Sequence, residues 1–187
     1  MILLAFGVVL FSVLHLIPAL PAAKAALVER VGSKAYGPVY GAASVVALAL
    51  ILLGWRWSAL VPVYEPAPWG RYANYGLILI AFLCRGIFLF RGKLRQTLQF
   101  PMGIAILFWG TGHLLANGDL AGIILFGGFL IYAVLHIAIG MAKNMRPSPE
   151  VRGGHDLLSL LAGVALYGVM TQLHPILIGV PIFVPSP

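Results

Sequence analysis

The feature that most limits the fold of this chain is a series of long apolar stretches separated by short polar segments. No stretch contains Asp, Glu or Lys. A helix needs about 20 residues to cross about 30 Å of hydrocarbon, and all stretches but the fourth are near that length. The fourth is either a short span or a segment sheltered by its neighbours. The six stretches cover residues 2–20, 38–55, 73–90, 101–115, 121–142 and 157–177.

The composition excludes the soluble and disordered classes of protein. The chain is 61% apolar and 9% charged, whereas soluble domains are about 45–50% apolar and about 25% charged. Disordered chains are poor in apolar residues, and alternating ten-residue β segments typical of a barrel are absent. We therefore expect an all-α membrane protein: a single domain over residues 1–187, built as a bundle of about six transmembrane helices.

Basic residues are concentrated in alternate connections between the stretches. By the positive-inside rule, the side that carries nine of the twelve Lys and Arg residues is cytoplasmic. Both termini, including the Pro-rich C-terminal tail, then face the periplasm. The net charge of +7 favours contact with anionic lipid, and no shared soluble face for nucleic acid is present. The nine residues are Lys24, Arg30, Lys34, Arg91, Lys93, Arg95, Lys143, Arg146 and Arg152.

The first stretch is expected to stay in the membrane rather than to be cleaved as a secretory signal. It lacks a basic n-region, and its apolar run is longer than that of a usual signal. Presequences for mitochondria or chloroplasts are rich in Arg and Ser, and no such segment is present. A bacterial inner membrane is the simplest location for this multi-pass chain.

Ionisable side chains within the hydrocarbon region are costly and point to function. His15 and His136 lie on the first and fifth stretches, which run in the same direction, and each is five or six residues before the cytoplasmic end. At 1.5 Å per residue, both are roughly 7–9 Å inside that boundary. Two imidazoles at one depth on two helices could bind one metal ion or the two faces of a haem. His113, by contrast, is expected near the outer face.

The residues around the pair admit two interpretations. On the fifth stretch, Gly128, Tyr132, His136 and Gly140 recur every four residues and share one helix face. The glycines could leave room for a planar cofactor, or they could serve close helix packing. A single intramembrane histidine is also more often a hydrogen-bond partner than a ligand. Both interpretations stay open from the residues.

Other polar residues have plain structural alternatives. Arg85 could reach a haem propionate at the cytoplasmic boundary, or its side chain could extend to the interface. His155 is either solvated or caps the sixth helix together with Asp156, and the lone Cys84 is expected to pack inertly. Phosphate-binding loops and the motifs HExxH, CxxC and GxSxG are absent. Paired-carboxylate chemistry therefore has no candidate.

The segment between the fourth and fifth stretches is the most distinctive in the chain. It reads WGTGHLLANGD over residues 109–119. Asn117-Gly118 is a tight-turn signal, and Asp119 can cap the following helix. His113 lies four residues from Asn117 and could bond Asn117 or Asp119. The segment resembles the signature of the NnrU family of bacterial membrane proteins, as do His15 in the run FSVLH and the six-stretch layout over nearly the whole chain.

The resemblance to the NnrU family has implications for function and for a haem cofactor. Members of the NnrU family are associated with denitrification and nitric-oxide-related genes, and relatives include 15-cis-ζ-carotene isomerase, a membrane enzyme with haem b bound by histidines. Carried over, the resemblance places His15 and His136 on the two haem-binding histidines. The relative has a cysteine shortly before its second ligand, whereas residues 130–135 contain none here. A bis-histidine iron, or one histidine with an open position, is then expected.

Two functions remain open at this point. In the first, the chain binds haem b through His15 and His136, with Arg85 as propionate partner and His113 as alternative ligand, and acts on an apolar polyene or a small gas such as nitric oxide. In the second, it is a non-catalytic accessory or assembly factor of a denitrification or respiratory complex, and the histidines serve packing. Whether the chain is an enzyme is not decided by the sequence.

Overall fold

The computed structural model describes residues 1–180 and 182, and most of them are helical. The described part contains no β-strand, only one isolated bridge between Pro62 and Asp119. The predicted all-α fold is therefore confirmed. A 3₁₀ turn, Ile17–Ala19, extends the first helix, and a π-helical turn, Ile123–Gly127, lies within the seventh. The helices are α1 Ile2–Leu16, α2 Pro21–Val31, α3 Ser33–Arg56, α4 Gly70–Leu89, α5 Lys93–Leu98, α6 Pro101–Ala116, α7 Leu120–Ala142 and α8 His155–Ile178.

Five helices in the described part are long and apolar enough to cross a membrane: α1 with its 3₁₀ turn, α3, α4, α7 and α8. The prediction of about six spans is thus supported for five. The fourth stretch forms α6, which is apolar but has only 16 residues and rises about 24 Å. Alone it is shorter than the hydrocarbon layer, so it depends on the helices beside it.

The distribution of side chains is the reverse of that in a soluble protein. Large apolar residues point outward on the long helices, with 67% of Val45 and 65% of Ile131 exposed. Small residues fill the helix contacts instead, including Ala47, Ala105 and Ala133. Lipid is as apolar as leucine, so burial of large side chains gives no advantage there and close backbone approach decides the packing. The architecture is that of a multi-pass membrane protein.

The six apolar helices pack side by side in the order α3, α1, α7, α6, α4, α8. Glycine allows the closest approaches along this row. A Cβ at Gly54 of α3 would lie 2.6 Å from Cα of Leu4 on α1, and one at Gly163 of α8 would lie 2.8 Å from Cα of Leu83 on α4. The row places α1 and α7 next to each other, which positions the predicted histidine pair.

Two segments expected to be loops contain helices. Residues after the first stretch form α2, and residues after the third form α5. Neither helix has a buried residue, and α2 carries Lys24 and Arg30. Both are short helices outside the apolar row. Sequence periodicity did not reveal them, because α2 is mostly exposed and α5 has only six residues, too few to show an apolar stripe.

The connections between helices fall at two ends of the bundle. At one end, here called the basic end, Arg91 pairs with Glu150, and Arg152 Nη2 lies 2.9 Å from Glu150 Oε1. The hydrogen bond and charge of Arg152, together with Arg91, hold the pKa of Glu150 below its usual value.

His155 accepts a hydrogen bond from the Arg91 backbone. The carboxylate of Asp156 accepts from the backbone at Lys93 and Leu94, so it caps α5. The alternative that His155 and Asp156 cap α8 is therefore wrong, since that helix has no side-chain cap.

At the opposite end, the loop between α3 and α4 covers the turn between α6 and α7. The Gly118 carbonyl accepts from the backbone of Val63 and Tyr64 at 2.8 and 3.0 Å. The Tyr64 hydroxyl donates to the carbonyls of Leu114 and Asn117. Burial, and then the charge of Asp119, raise the pKa of Tyr64, so its hydroxyl stays protonated as a donor. Asn117 is extended, with φ −132° and ψ 121°, so residues 117–119 pair with the loop at residues 61–64 and do not form the predicted tight turn. The Pro-rich tail at residues 181 and 183–187 lies outside the described residues.

Asp119 caps α7 as predicted, because its Oδ1 accepts from the Gly122 backbone at 2.8 Å. Asp119→Ala is expected to lower the free energy of unfolding by about 1 kcal/mol, the usual cost of losing an N-cap. Asp119→Asn keeps an acceptor and is expected to remain within about 0.5 kcal/mol of the parent protein. Thermal unfolding of the detergent-solubilised variants measures both. Equal losses in the two variants would contradict the capping role.

Candidate functional site

His15 lies in the last turn of α1, with its ring fixed on two sides. Its Nδ1 is 2.8 Å from the Phe11 carbonyl, and its ring stacks on Phe11 with centroids 3.8 Å apart. Tyr40 of α3 lies on another side, at 5.8 Å between ring centroids. Because a carbonyl can only accept, Nδ1 is the donor, and in the neutral ring Nε2 is the nitrogen with a lone pair. This is the tautomer that a metal-binding histidine requires.

His136 lies on α7 toward the same end of the bundle. Its ring contacts Tyr132 one turn earlier, at 5.8 Å, and Phe100 before α6, at 6.3 Å. The rings of Phe11 and Phe129, 5.3 Å apart, hold α1 against α7. His15 and His136 lie on neighbouring helices toward the same end of the bundle, and the contacting rings of Phe11, Phe129 and Tyr132 link them. That the two histidines bind one group stays a prediction.

The glycines on the helices of the two histidines, Gly7 on α1 and Gly128 and Gly140 on α7, are in contact with neighbouring residues. A Cβ at Gly7 would lie 2.8 Å from the backbone nitrogen of Ile51, and one at Gly128 would lie 2.5 Å from Cγ1 of Val8. Gly140 lies directly against the ring of Phe100. Of the two interpretations left open by the sequence, close helix contact thus accounts for these glycines, and they do not form a slot for a planar group.

A cavity lies beside His136, on a side of the ring that those glycines do not form. A cavity of about 220 Å³ opens next to its ring, between the end of α4, the start of α6 and the segment after α7. Phe88, Phe100 and Met102 form apolar walls, and Arg95 and Arg146 contribute cations. The sequence analysis counted these arginines for topology but did not place them near a histidine. No local pattern indicates this proximity, since three distant segments form the cavity.

Arg85 lies inside α4, one turn before Phe88. Its guanidinium carbon is 5.8 Å from the centre of the Phe88 ring. Its Nη1 is buried and makes no hydrogen bond within residues 1–180 and 182. A buried donor without a partner is costly. Nη1 of Arg85 therefore does not reach water, and an acceptor atom on a ligand could form the missing hydrogen bond.

His113 is placed apart from the pair, toward the opposite end of the bundle. Its Nδ1 is 2.9 Å from the Trp109 carbonyl, and its ring stacks on Phe126 with centroids 4.3 Å apart. The Asn117 side chain donates to the His113 backbone carbonyl and not to its ring. These contacts tie the end of α6 to α7, which is an organising role for the hairpin.

A group of three or more His, Cys, Asp or Glu side chains able to hold a metal ion is absent from the described residues. A haem iron takes four ligands from its porphyrin and needs at most two from the protein. His15 and His136, with His113 as the alternative, are the histidines in this part of the chain that the sequence analysis offers as such ligands.

A family profile described as "NnrU protein" matches residues 3–182, nearly the whole chain. The chain belongs to the NnrU family. This agrees with the resemblance seen in residues 109–119 and at His15. No curated protein and no solved structure shows significant similarity to the chain. Membership in NnrU names no cofactor, so function has to be argued from the arrangement of side chains.

Proposed function

We propose that this NnrU protein binds haem b in a bacterial inner membrane, with His15 and His136 as iron ligands, and serves redox or isomerase-type chemistry. The observation that supports it is the placement of two imidazoles at the same end of neighbouring helices, linked through contacting aromatic rings, one of them with Nδ1 donating to a carbonyl. Imidazole nitrogens are common axial ligands of haem iron, and a hydrogen bond from the other ring nitrogen is the usual support for a ligating histidine.

The side chains around the pair have the chemistry that such a group needs, although the glycines do not provide a slot for it and the helices would have to separate to admit it. Phe11, Tyr40, Phe100 and Tyr132 surround the two imidazoles, and aromatic walls suit an apolar macrocycle. Arg85 offers a buried donor without a partner, and a propionate could accept from it. Charged groups pair strongly where water is scarce.

When bound, haem supplies an iron centre that changes oxidation state and can bind a small ligand. The chain's own groups have simpler tasks. Phe11 orients His15 through its carbonyl and its ring, Tyr132 positions His136, and the surrounding aromatic rings exclude water. His113 holds the α6–α7 hairpin and is the alternative ligand. The apolar surroundings favour a polyene arriving from lipid or a small gas such as nitric oxide, which fits the link of the family to denitrification.

The test is a spectrum of the protein purified in mild detergent from cells supplied with iron and a haem precursor. We expect a Soret band, α and β bands after reduction, and about one iron per chain. Reconstitution of the purified protein with hemin is the second arm. A preparation that has no chromophore and gains none with hemin would contradict the proposal.

A second candidate is a non-catalytic membrane accessory or assembly factor of a denitrification or respiratory complex. It is favoured by the glycines at positions 7, 128 and 140, which are used for helix packing. It is also favoured by the structural hydrogen bonds of His15 to the Phe11 carbonyl and of His113 to the Trp109 carbonyl. On this alternative, histidine variants lose folding and no cofactor is bound. The hemin experiment therefore separates the two functions.

A further inference from the structure

The cavity beside His136 has a cationic rim that the haem proposal does not require. Arg95 of α5 and Arg146 after α7 both line it. Arg146 Nη1 donates to Gln99 Oε1 at 2.8 Å, and Gln99 Nε2 donates to the Met145 carbonyl at 2.7 Å. These bonds hold the segment after α7 against the start of α6. Two guanidinium groups from distant parts of the chain therefore face one opening.

The positive charge of this rim is not neutralised by the protein. Within the described residues, neither Arg95 nor Arg146 forms an ion pair. The carboxylates nearby are engaged elsewhere, since Glu150 binds Arg91 and Arg152, and Asp156 caps α5. The cavity lining itself contains no Asp or Glu. Uncompensated arginines at the wall of a cavity are the usual arrangement for an anion.

The arrangement continues into the membrane-spanning part. The guanidinium carbons of Arg95 and Arg85 lie 5.3 Å and 5.8 Å, respectively, from the centre of the Phe88 ring. Arg85 Nη1 is buried without a partner. Phe88 and Met145 are 37% and 38% exposed on the outer surface of the bundle. The opening thus combines cations with an apolar border that faces lipid.

We propose that this cavity binds the phosphate of an anionic phospholipid, clasped by Arg95 and Arg146, with the acyl chains lying along the apolar border at Phe88. Basic pockets between membrane helices at the cytoplasmic side are typical sites for anionic headgroups. Guanidinium groups match phosphate oxygens in a bidentate manner. The cavity shares the neighbourhood of His136 with the proposed haem site, but phosphate binding rests on Arg95 and Arg146, so the lipid titration below tests it separately from the haem.

The experiment is native mass spectrometry of the full-length protein in detergent, titrated with phosphatidylglycerol or with phosphatidylcholine of the same acyl chains. We expect phosphatidylglycerol to bind at least tenfold more tightly. Arg95→Gln/Arg146→Gln is expected to lose at least tenfold in affinity for phosphatidylglycerol, since charge-assisted hydrogen bonds are lost. The matched control is Arg30→Gln/Lys143→Gln, which removes two exposed cations at the same end and is expected to stay within about twofold.

Glycerol 3-phosphate, which has the phosphate without acyl chains, is the third ligand. If it binds as tightly as phosphatidylglycerol, the occupant is a free phosphate compound and the lipid assignment is overturned. Equal affinity of the double variant and its control overturns the site itself. Arg146→Gln alone removes the hydrogen bond to Gln99 but no buried side chain. If the double variant does not fold, a several-fold loss of affinity in this single variant supports the site, and an unchanged affinity overturns it.

Discussion

Replacement of both His15 and His136 by alanine is expected to abolish the Soret band of the hemin-reconstituted protein. The iron would lose both of its protein ligands while the aromatic surroundings stay in place. Each single variant is expected to retain a weaker, shifted band, because one imidazole remains. Absorption spectra before and after reduction, with iron analysis, measure the result. His15 is the more informative single change, since its Nδ1 is already committed to the Phe11 carbonyl.

The matched control is His174→Ala. His174 lies near the end of α8 and bonds the Val180 carbonyl at 2.7 Å, away from the basic end. It is expected to leave the spectrum unchanged. His113→Ala is the decisive comparison, because His113 is the alternative ligand. If His113→Ala removes the band while the His15/His136 double variant keeps it, the ligand assignment is wrong.

The second large effect is expected at the contact between α4 and α8. A Cβ at Gly86 would overlap the Ser159 carbonyl oxygen and lie 2.9 Å from the Gly163 backbone nitrogen. These are backbone atoms, so the helices themselves must move apart. Gly86→Ala is therefore expected to destabilise the protein by about 1–3 kcal/mol, or about 2–4 °C in Tm for each kcal/mol. Circular dichroism of the detergent-solubilised protein during heating measures it.

Gly76→Ala is the control, because it lies on the same helix and a Cβ there meets nothing within 4 Å. Its expected effect is within about 0.5 kcal/mol of the parent. Gly86→Ala/Gly163→Ala should cost less than the sum of the two single variants, since one separation of the helices accommodates both methyl groups. Equal melting of Gly86→Ala and Gly76→Ala would show that this contact is not tightly packed.

Several features of the candidate site were predictable from local sequence. His15 and His136 lie within apolar runs of known direction, so counting residues from the basic segments predicted a common level, and the structure has both toward the same end of the bundle. Asp119 directly precedes an apolar run, which is the usual position of an N-cap. The depth of a residue follows from the helix rise of 1.5 Å per residue, and an N-cap bond lies within one turn, so both depend only on nearby sequence.

Other features depended on contacts between distant segments. The glycine stripes admitted a slot or a packing surface, and the positions of Val8 and Phe100 against Gly128 and Gly140 settled it in favour of packing. The rim formed by Arg95 and Arg146 joins residues about fifty positions apart. Helices α2 and α5 lacked an apolar stripe and were expected as loops.

The residue pattern by itself determined that this chain forms apolar helices and which of their positions carry ionisable groups. In hydrocarbon every backbone polar group needs a hydrogen-bond partner within the protein, and a long apolar run satisfies this requirement by forming a helix. The tertiary structure alone decided which helices are neighbours, which faces meet and where a cavity remains. Lipid and apolar side chains are nearly equivalent surroundings, and the fit of small residues such as Gly54 and Gly163 against a facing backbone selects one packing among many.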